Sequence, residues 1–334
     1  MSHGIDDVAR AAGVSTATVS RALRGLPNVA PATRDHVREV AARLGYSASP
    51  SAASLASGRT RTIGVLTPWI SHWFFANVIE GAERALRTAD YDALLHTFEV
   101  YRGGPRRRVD PGLLRRRVDG ILVVGLPLAD AEIAGLAGLG VPLVFVGSGP
   151  PDQILVRLDD ELAAHTATEH LIRLGHTRIA HLTGDPGDVL PWSPAEARVV
   201  GWRTTMEASG LVADLEVHGY FDVAGARETA SRLLREHPDV TAVFAASDEM
   251  AMGVVLAAAD LGLAVPADVS VIGIDGHDLG ALIGLTTVAQ DAAEQGVRAA
   301  TMLLDLVVGG TVPQVTTFPT RLVVRTTTGP APVR

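Results

Sequence analysis

The side chains best suited to chemistry fall into two groups. Beyond the first sixty or so residues, Trp69, His72, Trp73, Phe74 and Phe75 lie within W-I-S-H-W-F-F, directly after a short apolar run. The chain has only 4 Trp, 4 Tyr and 7 Phe, so this is a concentration. Flat apolar faces with a polar edge suit the C–H face of a sugar ring. For Phe75 the plainer role is a staple fixing the next helix. Arg198 opens R-V-V-G-W. Its guanidinium fork can hold two neighbouring oxygens, from hydroxyls or a carboxylate, or make a surface ion pair. Asp275 closes the apolar run I-G-I-D. Ser247 and Asp248 close another, where Asp248 either caps the next helix or reaches a ligand. The second group lies near the N-terminus. Thr16, Ala17, Ser20, Arg21 and Arg24 share one face of a helical stretch. Small polar side chains let a helix enter a major groove, and an arginine there donates two hydrogen bonds to guanine O6 and N7. The hydroxyls of Thr18, Ser20 and Thr33 suit phosphates.

The N-terminal group needs a scaffold, and three apolar stripes supply it. They are Ile5, Val8, Ala9, Ala12; Val19, Ala22, Leu23, Leu26; and Val37, Val40, Ala41, Leu44. Each has the i, i+3, i+4, i+7 spacing of a helix with one buried face. Gly13 suits the turn after the first helix, Ser15 the N-cap of the second, Pro31 the first turn of the third, and Gly45 its end. Three short helices with a tight first turn form a helix-turn-helix. Charge supports a polyanionic partner for this end alone. Residues 1–61 carry eight arginines and four acids, and the other residues bring the total to −8. Every basic residue is arginine, which we read as coding bias.

From Ile63 onward, apolar runs alternate with helical patterns. Strands are expected at 63–66, 121–125, 143–146, 179–182, 243–245, 271–274 and 322–324. Helices are expected at 75–89, 162–174, 195–208, 224–236, 250–261 and 292–308. This alternation predicts parallel sheets covered by helices on both faces, in one sheet or two. Ligands of such sheets lie at the carboxyl ends of strands, which is where Asp275 and Asp248 fall. Gly125 ends a strand and makes room. A chain of 334 residues without cysteine needs no disulfide staples and offers no thiolate chemistry. No apolar run approaches the roughly 20 residues that span a bilayer. The start, M-S-H-G-I-D-D-V-A-R, carries acids where a signal peptide is basic. We therefore expect a cytoplasmic protein without membrane contact.

Two longer runs carry a family resemblance. I-D-D-V-A-R-A-A-G-V-S-T-A-T-V-S-R-A-L (Ile5 to Leu23) and T-R-D-H-V-R-E-V-A-A-R-L-G-Y (Thr33 to Tyr46) closely resemble the head of the lac repressor (LacI) family of bacterial transcription regulators. E-H-L-I-R-L-G-H-T-R-I-A-H-L-T-G (Glu169 to Gly184), S-D-E-M-A-M-G, V-P-A-D-V-S-V-I-G-I-D and L-T-T-V resemble its body. The resemblance implies an N-terminal all-α helix-turn-helix head plus an α/β body like periplasmic sugar-binding proteins, of two doubly wound subdomains joined by three crossings. It implies a DNA-binding domain at 1–46, a hinge segment at 47–61 and an effector-binding, dimerising domain at 62–330. Within that body, one subdomain takes about 62–158 and 290–318, the other about 159–289 and 319–330. Thr16, Ala17 and Arg21 fall at base-reading positions. Arg198, Asp275 and Phe221 fall at effector positions. The linker S-A-S-P-S-A-A-S-L-A-S-G is a flexible spacer by composition; the resemblance makes it a hinge helix that folds on DNA and wedges Leu55 into the minor groove. Gly276 stands where the family has an acid or amide, Ala53 where it has an arginine or polar residue, and 186–194 matches nothing in it.

Enzyme motifs are missing: no G-x-G-x-x-G follows a strand, and neither a P-loop nor G-x-S-x-G is present. His165, His170, His176 and His181 do not repeat on one helical face and are expected to be solvated, so neither metal nor cofactor is expected. The seven arginines between Arg102 and Arg117 are expected on a solvated face around a helix. The expected partners are a pseudo-palindromic DNA operator, a small effector that is most simply a sugar, and a second copy of the chain, the tail G-P-A-P-V-R having no heptads. A transport component would need a signal peptide and no basic head. A regulator driven by a nucleobase remains an alternative. So does one driven by a protein partner, although that one would have lost Arg198 and Asp275.

Overall fold

The structure, a computed structural model, describes residues 4–23, 27–46, 59–98, 106–185 and 192–333. Arg24, Leu26, Leu55 and most of the 47–61 segment lie outside the described residues. The chain divides into two units, Met1–Arg61 and Thr62–Arg334.

The head contains α1 (Ile5–Ala12), α2 (Thr16–Leu23) and α3 (Pro31–Arg43). Asp7 reaches back to the Gly4 N–H at 2.9 Å, and Gly13 ends α1 in the left-handed conformation, φ 66°. Ser15 Oγ accepts from the Thr18 N–H at 3.1 Å and so caps α2. The stripes converge, with Val8, Val19, Ala22, Val37 and Val40 fully enclosed or nearly so.

The body contains twelve strands among its described residues, in two six-stranded sheets. The N-lobe sheet has the order β11 (Val315–Phe318), β5 (Leu155–Leu158), β4 (Leu143–Val146), β3 (Gly120–Val124), β1 (Thr62–Thr67), β2 (Asp92–Thr97), all parallel. The C-lobe sheet has the order β12 (Arg321–Val323), β10 (Thr286–Ala289), β9 (Ser270–Asp275), β8 (Ala242–Ala245), β6 (Ile179–Thr183), β7 (Glu216–His218), with β12 antiparallel to β10 and the rest parallel. The chain passes between sheets after β5, after β10 and between β11 and β12.

Strand periodicity explains the layering, because successive side chains point to opposite faces. Ile63, Val65, Leu122, Val124, Val144 and Val146 pack on α4 (Trp73–Thr88) and α11 (Ala292–Val307). Their neighbours Leu66, Ile121, Val123 and Phe145 face α5 (Asp130–Ala137) and the turn Pro111–Leu113. In the C-lobe, Leu182, Val243 and Val271 meet α8 (Val223–Glu236) and α9 (Asp248–Asp260). Ile179, Phe244 and Ile272 meet α6 (Asp160–Arg173) and α7 (Pro194–Ala208). The helices α4 and α11 touch backbone to backbone: a Cβ on Gly81 would lie 1.9 Å from the Ala293 carbonyl, and one on Gly296 2.0 Å from that of Val78.

Three expectations are corrected. His176 and His181 are fully buried, not solvated. His176 bonds Thr241, Ser270 and the Gly329 carbonyl, while His181 is wedged against Trp202 and Phe244, and burial drives its pKa down to about 3. The described part of the arginine run, from Arg106, forms one 3-10 turn, Pro111–Leu113, in place of a helix. Arg107, Arg108, Arg115, Arg116 and Arg117 are exposed as expected, whereas Arg106 is part-buried, donating to Glu132 and to the Pro127 carbonyl at 2.7 Å.

Candidate functional site

In the head, Thr16, Ala17 and Arg21 are exposed on α2, opposite the buried Val19 and Ala22. Ser20, Thr18 and Thr33 are half-buried beside that face. Ser15 is exposed, but its hydroxyl is engaged with the Thr18 backbone and hydroxyl. The result is a short helix with small side chains and one arginine outward, the shape a major groove accepts.

In the body, one cavity of about 240 Å³ lies between the lobes. Strand ends from both sheets converge on it: Pro68 and Trp69 after β1, Gly125 after β3, Gly147 and Ser148 after β4, Asp185 after β6, Ser247 after β8, Asp275 ending β9 and Gln290 after β10. The carboxyl ends of strands are where open parallel sheets bind ligands. Of the expected residues, Trp69, His72, Phe74, Arg198, Phe221 and Asp275 line it. Trp69 packs edge-on against His72 and Phe75, with ring centres 5.0 and 5.5 Å apart. Phe75 lines the cavity too, so it does more than staple α4.

Two expected residues are not among the lining. Trp73 turns toward the other lobe, stacks on His277 at 5.7 Å and donates to Asp278 at 3.4 Å. Asp248 is fully buried beneath the wall, where one carboxyl oxygen accepts from the backbone N–H of Gly276 (2.9 Å) and His277 (2.8 Å). The cap of α9 is Ser247. Burial, then the nearby Asp275 charge, holds Asp248 well above the usual carboxylate range. Burial also raises Asp275, against the pull of Arg198 and the Gln290 hydrogen bond. Asp275 sits at φ 134°, a conformation L-residues rarely adopt.

Arg198 is enclosed, and its partners are protein groups. Its Nε and Nη2 donate to Asp160 Oδ1 at 2.9 and 2.8 Å, and its Nη1 to the Ala246 carbonyl. Burial pushes Asp160 up and the guanidinium pulls it back. Across the cleft, His72 of the N-lobe meets Glu249 of the C-lobe at 3.0 Å; this hydrogen bond raises the His72 pKa despite burial. Asp160, Glu249, Gln290 and Gln295 were not singled out by sequence. The signal available for Asp160 and Gln290 was position alone, one at a strand-to-helix junction and one just past a strand. Groups of acids and histidines that could hold a metal ion are absent among the described residues. No helix among them is long and apolar enough to cross a membrane.

A groove-shaped helix-turn-helix joined to a two-lobed body with a cleft cavity defines a DNA-binding regulator with a ligand-binding body. The comparisons agree. Residues 4–49 match bacterial regulatory proteins of the lacI family, and 168–328 match the periplasmic binding protein-like domain. Catabolite control protein A of Priestia megaterium is 36% identical over 309 residues, covering 91% of this chain and 92% of the relative. The lac repressor dimer bound to operator and the anti-inducer ONPF superposes with TM-score 0.86 at 28% identity, covering 98% of this chain and 100% of that one. The transcriptional regulator CelR in complex with cellobiose gives 0.71 at 29%, covering 97% and 99%. This chain belongs to the lacI family of bacterial regulatory proteins. It is a transcription regulator and not an enzyme.

Proposed function

We propose that this protein is a dimeric repressor that binds a pseudo-palindromic operator through α2 and whose grip is set by a sugar in the interlobe cavity. Arg21 reads a base edge, Thr16 and Ala17 let the helix sit close, and Ser15, Thr18, Ser20 and Thr33 position the head on phosphates. Leu55 supplies the minor-groove wedge. In the cavity Trp69, Phe74 and Phe221 offer apolar faces, and His72 and Asp275 offer polar edges. Arg198, tied to Asp160, shapes the wall and leaves any further donor to the ligand, while Trp73 and Asp248 support the cleft from outside the lining. The observation that most supports this reading is the convergence of strand ends from both sheets on one aromatic cavity. The cellobiose complex of the relative favours a carbohydrate for this cavity as well.

Ligand contacts to both lobes bias their relative rotation. The head joins the N-lobe at β1, so rotation changes the spacing between two such junctions in a dimer, and with it the pairing of the hinge segments. The exposed apolar side chains of Leu279 and Leu282 on α10 (Asp278–Leu282) fit a dimer. The cytoplasm, where DNA and sugars are both present, is the compartment this function requires. The test is a gel shift on the gene's own upstream region with and without sugars. A sequence-specific shift that one sugar alters is expected; binding no tighter than to scrambled DNA under every condition would overturn the proposal.

A further inference from the structure

The polar groups around the cavity point to a ligand class, on the reading above that the cavity holds the effector. Among the described residues, five acidic side chains line it, those of Asp160, Asp185, Asp222, Glu249 and Asp275, against the cations Arg198 and His72. Each cation already has an acidic partner, Arg198 with Asp160 and His72 with Glu249. An entering anion would compete with those partners inside a net negative wall, where charges are poorly screened.

The amides show the same bias. Gln295 of α11, in the N-lobe, donates its Nε2 to Gln290 Oε1 at 2.7 Å. Gln290, at the crossing, donates its own Nε2 to Asp275 Oδ1 at 2.7 Å, in the C-lobe. The Asp275 oxygen is the acceptor at the end of this relay, and that sets the direction of both amides. The donors point inward along the relay. Gln295 Oε1 is left without a partner, in a fully buried residue that borders the cavity. A buried acceptor without a donor is costly, and a ligand that supplies the donor removes that cost.

We propose that the cavity selects an uncharged or cationic ring molecule rich in hydrogen-bond donors and rejects phosphorylated and carboxylated ones, with the Gln295 carbonyl accepting from a ligand hydroxyl or N–H. Gln295 is thereby a specificity-determining residue, and Gln290 and Asp275 are what orient it. A ligand bridging Gln295 and the C-lobe wall also ties the two lobes together.

The test is isothermal titration of the full chain with glucose, galactose, maltose and cellobiose, with glucose 6-phosphate, glucuronate and glucosamine as charged counterparts, and with adenine and hypoxanthine as neutral non-sugar rings. A neutral member is expected to bind at least tenfold tighter than an anionic counterpart. Gln295→Leu should weaken that binding tenfold or more, while the lost bond to Gln290 lowers the melting temperature of the ligand-free chain only slightly; Gln295→Met serves if the leucine variant does not fold. For a sugar, one monodeoxy analogue should bind weakly to the wild type yet match its parent on Gln295→Leu. An anionic member that binds as tightly as its neutral counterpart, or a Gln295→Leu variant within twofold of wild type, would overturn the proposal. If a nucleobase binds where no sugar does, this inference stands and the sugar reading falls. If no member binds, both fall.

Discussion

Removing Arg198 tests whether that arginine is a wall element or a free ligand donor. Arg198 and Asp160 are both buried, with side chains 8% and 9% exposed. In Arg198→Met the Asp160 carboxyl loses its cation and stays enclosed. Breaking a buried pair by deleting one partner costs about 3–5 kcal/mol. Protonation limits the cost: at pH 7, neutralising a carboxyl of ordinary pKa near 4 takes about 4 kcal/mol, at about 1.4 kcal/mol per pH unit. The variant should therefore unfold with about 3–4 kcal/mol less stability at pH 7, and the deficit should shrink by about 2 kcal/mol at pH 5.5. Adding Asp160→Asn should restore most of it. Urea unfolding followed by tryptophan fluorescence, to which Trp202, buried on the same helix, contributes, measures all three chains. A deficit under about 1 kcal/mol that does not change with pH would mean that the arginine is not held by Asp160.

The remaining predictions concern the cleft, the helix seam and the head. His72 gains its Glu249 partner across the cleft, and its pKa is raised by that hydrogen bond and by the charges of Glu249 and Asp222. Its support for closure is thus full below the ordinary histidine value and is lost as pH rises through the raised one. Ligand affinity should fall over that window by roughly three- to tenfold, as expected for a part-buried charge-assisted bond, and titrations of Glu249→Gln should lose this component. Gly296→Ala forces α11 off the Val78 carbonyl and should cost about 3 kcal/mol, seen as a lower melting temperature. Arg21→Ala should lose about 1–3 kcal/mol of operator binding and relax preference at one base pair. Anisotropy across single-base-pair operator variants distinguishes this from a uniform loss, which would make Arg21 a phosphate contact.

Much of the architecture was legible because it rests on local periodicity. The three head stripes and the α/β alternation lie along the chain. Strands β2, β5, β7, β10 and β11 were not read, because they are short or polar; β2, at the sheet edge, alternates exposed and half-buried residues. At the site, residue type and the family resemblance pointed to Arg198, and strand-end position to Asp275, but not to what holds them. Asp160 lies 38 residues from Arg198, a juxtaposition only the tertiary fold creates. Trp73 and Phe74 are consecutive on a helix, so they point in different directions, and composition cannot say which faces the cavity. Histidine is usually solvated, and nothing in the local sequence marks His181 as an exception. Its place on a central strand between Ile179 and Thr183, with both faces covered, decides otherwise.

The proposed function requires that the cavity and the DNA-reading face be energetically linked, and linkage is reciprocal. The most direct test measures operator affinity of the full chain with and without the tightest-binding member of the ligand panel, then ligand affinity with and without operator. Both should change by the same factor, roughly tenfold or more. Two affinities that each stay constant, with ligand and operator both bound, would contradict it.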